Sequence, residues 1–194
     1  MALGNFAAAG PAPSVVLVGM MATGKSSVGR CLAARMNCQL LDSDDWVEKT
    51  TGRTVRQIFE SEGEEAFRAL ESQALAEALV TPGPVVVAAA GGTVLSPGNR
   101  RRLVEHDSVV WLRASVATIV GRLIDDTDSG HRPLLGDDVT KTVPDLVAAR
   151  TPFYAEVADI VIDVDNLSHD EVCARVAAAL SLHPRAGSPP APAA

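Results

Sequence analysis

The stretch VVLVGMMATGKSS, Val15–Ser27, constrains the fold more than any other part of the chain. A run of four apolar residues leads into a turn that opens and closes on glycine, then into a lysine and two serines. Gly19 to Ser26, GMMATGKS, satisfies the pattern G-x-x-x-x-G-K-[ST] at every fixed position. Glycines let such a loop turn its backbone N–H groups inward, where they cradle phosphate oxygens. Lys25 is placed to reach the terminal phosphates and Ser26 to offer a hydroxyl to Mg²⁺. A helix starting near Lys25 adds the positive end of its dipole. A plain structural glycine turn is the alternative, and the strand before and helix after weigh against it. The expected nucleotide contacts are Gly19, Ala22, Thr23, Gly24, Lys25, Ser26 and Ser27, with ATP or GTP as the nucleotide.

Further apolar runs follow at Gln39–Leu41, Val85–Ala89, Val109–Leu112 and Ile160–Ile162. They do not alternate with polar residues, which predicts strands buried on both faces of a parallel sheet. Helical stretches lie between them. TVRQ from Thr54 and SHDE from Ser168 read as capping boxes. Pro144 suits the first position of a helix running to about Tyr154. Repeated strand–helix alternation predicts an α/β domain of three layers. At 194 residues the chain suits one domain with a full core. Residues 1–13 read as a loose arm without the basic start and apolar run of a signal peptide, and 183–194 as a Pro/Ala-rich disordered tail. No apolar run is long enough to span a membrane. A net charge of -7 with no basic stripe argues against nucleic acid as a partner. Cys31, Cys38 and Cys173 form no metal spacing or disulfide framework and read as buried thiols in a reducing cytoplasm.

The acceptor side carries weaker signals. LDSDD, Leu41–Asp45, puts carboxylates at the C-terminal edge of a parallel strand, where ligands of α/β sheets bind. One can organise Mg²⁺ and another can hold or deprotonate an attacking hydroxyl. Helix capping by Ser43 or Asp44 is the competing reading. Arg68 sits in EEAFRALE, where a solvated i, i+4 pair with Glu64 accounts for it equally well. Gly91 and Gly92 end the third strand, either for close approach of a ligand or simply to turn. Arg150 lies near a helix end, where the dipole alone favours a cation. The segment DDTDSGHRPLLGDD, Asp125–Asp138, interrupts the rhythm and suits a lid or a surface loop.

Taken in order, GMMATGKS, DSD, FRALE, AGG, RPLL and RTPFY resemble the shikimate kinases, and the resemblance runs from about Val15 to Leu182. It implies a P-loop kinase domain over 14–182 with five parallel strands in the order 2-3-1-4-5, an acceptor-binding segment at about 43–71 and a lid at about 125–138. It implies phosphoryl transfer from ATP to the 3-hydroxyl of shikimate, a step of chorismate and aromatic amino acid biosynthesis, with one Mg²⁺. In this resemblance Asp44 grips the acceptor and is the general base, and Asp42 orders Mg²⁺ with Ser26. Arg68 and Arg150 bind the acceptor carboxylate, and Gly91 and Gly92 form the acceptor turn. Arg132 closes over the phosphates beside Lys25, and Arg122 flanks the adenine. A monomer is expected, since no coiled coil or apolar stripe is visible.

Two departures stand out. Ala90 replaces the first glycine of the family's triple glycine. Alanine there is strained if φ is positive and harmless if it is negative. No arginine follows the last strand, where only Asn166 and His169 are available, and His169 reads as a surface residue at a helix start. The rival functions are a related small-molecule kinase such as a gluconate kinase, and a catalytically weak nucleotide-binding module.

Overall fold

A computed structural model of the chain describes residues 14–106, 108–125 and 138–182. Five strands are present: β1 (Val15–Val18), β2 (Gln39–Asp42), β3 (Val85–Ala88), β4 (Val109–Arg113) and β5 (Ile160–Asp163). They form one sheet in the order β2-β3-β1-β4-β5, and every pairing is parallel. The helices are α1 (Lys25–Met36), α2 (Ser43–Thr51), α3 (Val55–Leu79), α4 (Pro97–Val104), α5 (Val116–Asp125), α6 (Val139–Val157) and α7 (His169–Leu182).

The period of two along each strand builds the three layers. Val16 and Val18 of β1 face one core with Val85, Val87 and Trp111, and this core is covered by Leu75 of α3, Ile119 of α5 and Tyr154 of α6. Val15 and Leu17 face the opposite core with Val86, Val110 and Leu112, under Val28 and Leu32 of α1 and Val172 and Val176 of α7. Each fully buried valine or leucine contributes about 1.5–3 kcal/mol relative to exposure. Burial on both faces holds for β1 and β3, but the edge strands β2 and β5 are partly exposed, because each has a neighbour on one side only.

A third, smaller core of Val47, Ile58 and Phe67 holds α2 against α3, so the segment 43–71 has its own apolar anchor. α3 breaks its helical course at Gly63, where φ is 83°. Both capping boxes form: Thr54 with Gln57, and Ser168 with Glu171. α6 starts earlier than the proline suggests. Asp138 caps it through Thr140 N–H, leaving Pro144 and Pro152 inside the helix. The cysteine reading needs correction: Cys31 of α1 and Cys173 of α7 form a disulfide, because these helices pack side by side with Cα atoms 6.3 Å apart. Cys38 is a free thiol. Among the described residues no helix is long and apolar enough to cross a membrane. The arm at 1–13, the tail at 183–194 and the heart of the expected lid, Arg132 included, lie outside the described residues.

Candidate active site

At the C-terminal edge of the sheet, β1 runs into the phosphate loop. Gly19 leaves the strand at φ 145°, and a Cβ there would stand 2.5 Å from the Leu112 carbonyl oxygen of neighbouring β4, so only glycine fits. Ala22 takes a left-handed φ of 60°, which is uncommon for a residue with a side chain. Thr23 is buried and donates its hydroxyl to Met20 O at 2.8 Å, closing the loop from within. Lys25 Nζ donates to Gly19 O at 2.9 Å and Met20 O at 2.8 Å, which holds the ammonium over the loop. Gly24 caps α1, so the first amides of the helix open toward the same space. Lys25, Ser26 and Ser27 line a cavity of about 290 Å³ together with Asp42, Asp44 and Ala88 to Gly91. The sheet edge therefore joins the glycine loop after β1 and the turn at Gly91 in one space.

Asp42 ends β2 and accepts Asp44 N–H at 3.1 Å, so it caps α2. Capping and site chemistry are not exclusive here, since both aspartates also line the cavity. Asp44 touches solvent at the cleft mouth. The protein packed around it, and then the Asp42 carboxylate, push its pKa up to about 6, while Lys25 pulls it down. A carboxylate with that pKa is a usable proton acceptor near neutrality. Ser26 and Asp42 both line the cavity and offer hard oxygen donors, the ligand type that suits Mg²⁺.

Arg68 is no ordinary surface residue. It keeps the expected pair with Glu64 at 2.9 Å, but its other side meets Glu71 at 2.6 Å, and Glu71 is only 2% exposed. Burial pushes the Glu71 pKa up to about 7, against the opposing pull of Arg68. Gly92 exists for this guanidinium: a Cβ on it would lie 1.8 Å from Arg68 Nη1. Arg150 is also buried, 3% exposed, and lies seven residues before the end of α6, so the dipole reading does not account for it. Its Nη1 donates to Gly91 O at 3.3 Å. The same carbonyl accepts the Tyr154 hydroxyl at 2.7 Å. Ala90 is not among the residues with positive φ, which among the described side-chain-bearing residues are Ala22, Asn37 and Asn166. Its methyl therefore carries no backbone strain, and the main motive for a weak module falls away.

On the other flank Arg122 donates to Ala22 O at 3.0 Å and to Val164 O at 3.3 Å, tying α5 and the end of β5 to the phosphate loop. His169 is exposed as expected, yet its ring packs on the loop: a Cβ on Gly24 would meet His169 Cδ2 at 2.9 Å. Glu71 and Tyr154 close the motifs FRALE and RTPFY, but the sequence alone assigns neither a role. Glu71 falls on the apolar stripe of Phe67, Ala74, Leu75 and Ala78, all buried, and a carboxylate at that position was the available signal.

The sequence profile of the shikimate kinase family matches residues 21–181. A shikimate kinase of Xanthomonas campestris pv. campestris is 38% identical over 182 residues, covering 93% of this chain and 99% of its own length. Among solved structures, the shikimate kinase of Acinetobacter baumannii superposes with a TM-score of 0.82 at 33% identity, covering 88% of this chain and 93% of that one. A gluconokinase of Sinorhizobium meliloti has a TM-score of 0.59 at 18% identity, with 88% and 93% coverage, a likeness of fold alone.

Proposed function

Since the chain belongs to the shikimate kinase family, we propose that it transfers the γ-phosphoryl group of ATP to the 3-hydroxyl of shikimate, giving ADP and 3-phosphoshikimate. The observation that carries this reading is the placement of two guanidiniums, Arg68 and Arg150, against the Gly91–Gly92 turn, whose Gly91 lines the cavity of Lys25 and Asp44 and whose Gly92 lines a second pocket with Arg68. Paired guanidinium forks suit a carboxylate on the acceptor. The Acinetobacter baumannii structure that this fold matches is a complex with shikimate.

The division of labour follows from position. Arg68 and Arg150 take the shikimate carboxylate, and Gly91 and Gly92 shape the turn against its ring. Asp44 orients the 3-hydroxyl and accepts its proton as the phosphorus–oxygen bond forms. Lys25 exchanges its loop carbonyls for β- and γ-phosphate oxygens, while the amides after Gly24 hold the phosphates. The nucleoside lies on the flank away from Asp44, toward Arg122. Ser26 and Asp42 would hold Mg²⁺, which would supply positive charge to offset that of the phosphates. Arg132 belongs to the segment expected to close over the phosphates. Phosphoryl transfer asks mainly for alignment and charge stabilisation, and these residues supply both.

The enzyme works as a monomer in the cytoplasm; among the described residues the exposed large apolar side chains, Val80, Val104, Ile124, Val161 and Leu182, are spread over separate elements. The deciding experiment is a coupled ADP-release assay with Mg-ATP and either shikimate, gluconate or no acceptor. Release that requires shikimate supports the proposal. Release with gluconate alone, or none with ATP still bound, refutes it.

A further inference from the structure

The two acceptor-side arginines both pack on a single peptide group. Arg150 Nη1 donates to Gly91 O. The Arg68 guanidinium lies beside Gly92, so close that a Cβ there would overlap it at 1.8 Å. The Gly91–Gly92 peptide therefore sets the distance between the two cations. A diglycine has more rotational freedom than any other pair of residues, and something must hold it in one orientation.

The flanking carbonyls, Ala90 O and Gly92 O, accept backbone N–H groups of Thr93 and Leu95 at 3.0 and 2.9 Å, whereas the Gly91 carbonyl between them is held by side chains, above all Tyr154. Its hydroxyl makes the shortest contact to Gly91 O, 2.7 Å, and the ring is 1% exposed. Trp111 of β4 stacks on that ring with centroids 5.6 Å apart and 25° between planes. A phenol clamped between sheet and helix has little freedom to follow a moving carbonyl, so the carbonyl follows it. Arg150 and Tyr154 are four residues apart on α6, which places both donors on one helix face.

We propose that Tyr154 is a positioning residue for acceptor binding, whose hydroxyl pins the Gly91–Gly92 peptide and so fixes the spacing of Arg68 and Arg150 around the acceptor carboxylate. It touches neither reacting atom. This rests on the reading of the site as a shikimate site, and its test separates the two.

Tyr154→Phe keeps the ring and its stack on Trp111 and removes only the hydroxyl. The expected result is a shikimate KM raised about five- to tenfold, the loss of one buried hydrogen bond, with kcat and the ATP KM within about twofold. In parallel, backbone hydrogen exchange is followed in a peptide spanning Ala88 to Val94. It speeds up in the variant, while peptides from β1 and α1 stay unchanged. An unchanged shikimate KM with wild-type turnover, or unchanged exchange at the turn, overturns the pin. So does a parallel rise in both KM values with a large fall in melting temperature, the signature of general loosening. If the wild type turns over no shikimate, the function is wrong, and the exchange measurement still decides whether Tyr154 holds the turn.

Discussion

Arg68 Nη1 lies 2.6 Å from Glu71 Oε2, and that carboxylate is almost wholly buried beneath the acceptor turn. Truncating one partner of a buried pair leaves the other charge uncompensated, typically at about 3–5 kcal/mol. Here Glu64 still holds Arg68 from the solvent side, so Glu71→Ala is expected to cost roughly 2–4 kcal/mol. Glu71→Gln keeps the shape and isolates the charge. The folded pKa of Glu71, about 7, lies above its ordinary value of 4.5. A raised carboxyl favours the fold fully below its unfolded pKa, and that contribution fades as pH rises through the folded pKa. Wild type should therefore lose stability relative to Glu71→Gln between about pH 4.5 and 7. Denaturant melts of both proteins at pH 4.5, 6 and 7.5 read the difference. A gap that does not change with pH refutes the buried-charge account.

Asp44 makes a second pH-dependent claim. With its pKa near 6, the carboxylate form is lost as pH falls through that value, and kcat/KM for shikimate should drop with a slope of one below about pH 6. Asp44→Asn removes the proton acceptor and is expected to lower kcat by about 10²-fold or more, while ATP affinity persists because Lys25 and the loop amides are intact. A variant whose profile still bends near pH 6 would assign the titration to another group.

Gly92 and Ala90 are two residues apart, and the geometry predicts opposite sensitivities. Gly92→Ala drives a methyl into the Arg68 guanidinium. The guanidinium is the far end of a flexible side chain, so it moves and the fold survives. Shikimate KM should rise about tenfold or more, the scale of a displaced charge-assisted contact, and the melting temperature should fall as well, because the same Nη1 that the methyl displaces is the partner of buried Glu71. Ala90→Gly restores the family's triple glycine but relieves no strain, since φ is not positive at Ala90. Activity should stay within about twofold, and stability should fall by roughly 0.4–1 kcal/mol through added freedom in the unfolded chain. A marked gain of activity in Ala90→Gly would show that the methyl obstructs the acceptor.

The phosphate loop is legible in sequence because its chemistry is local: strand, glycine turn, Lys25 and Ser26 occupy consecutive positions. The sheet is legible because each central strand is one apolar run, and the edges blur because β2 and β5 lack a second neighbour. Arg150 is not legible by the same means. A helix expected to stop near Tyr154 puts it close to the end, whereas α6 runs on to Val157, and its role depends on a turn 59 residues away in the chain. Glu71 is hidden for a different reason. In a run of charges its i, i+3 relation to Arg68 looks like surface pairing, and only its place on the apolar stripe distinguishes it. The Cys31–Cys173 link spans 142 residues, far beyond what spacing of cysteines can reveal.

That link supports a last prediction. Cys173 is fully buried among the residues that pack α7 on α1, and neither cysteine lines the phosphate and acceptor cavity. Stability and catalysis should therefore separate. Protein prepared without reductant and then denatured should titrate one thiol, Cys38, and three after reduction. Reduction should lower stability by roughly 2–4 kcal/mol, the usual range for closing a long loop, with shikimate and ATP KM values unchanged. In a cytoplasm that keeps thiols reduced, Cys31 and Cys173 would stand as two packed thiols and the enzyme would work at the lower stability. Three thiols titrating in unreduced, denatured protein would refute the cross-link. A change in ATP KM on reduction would mean that α7, whose first residue His169 rests on Gly24, passes strain from the cysteine pair to the phosphate loop.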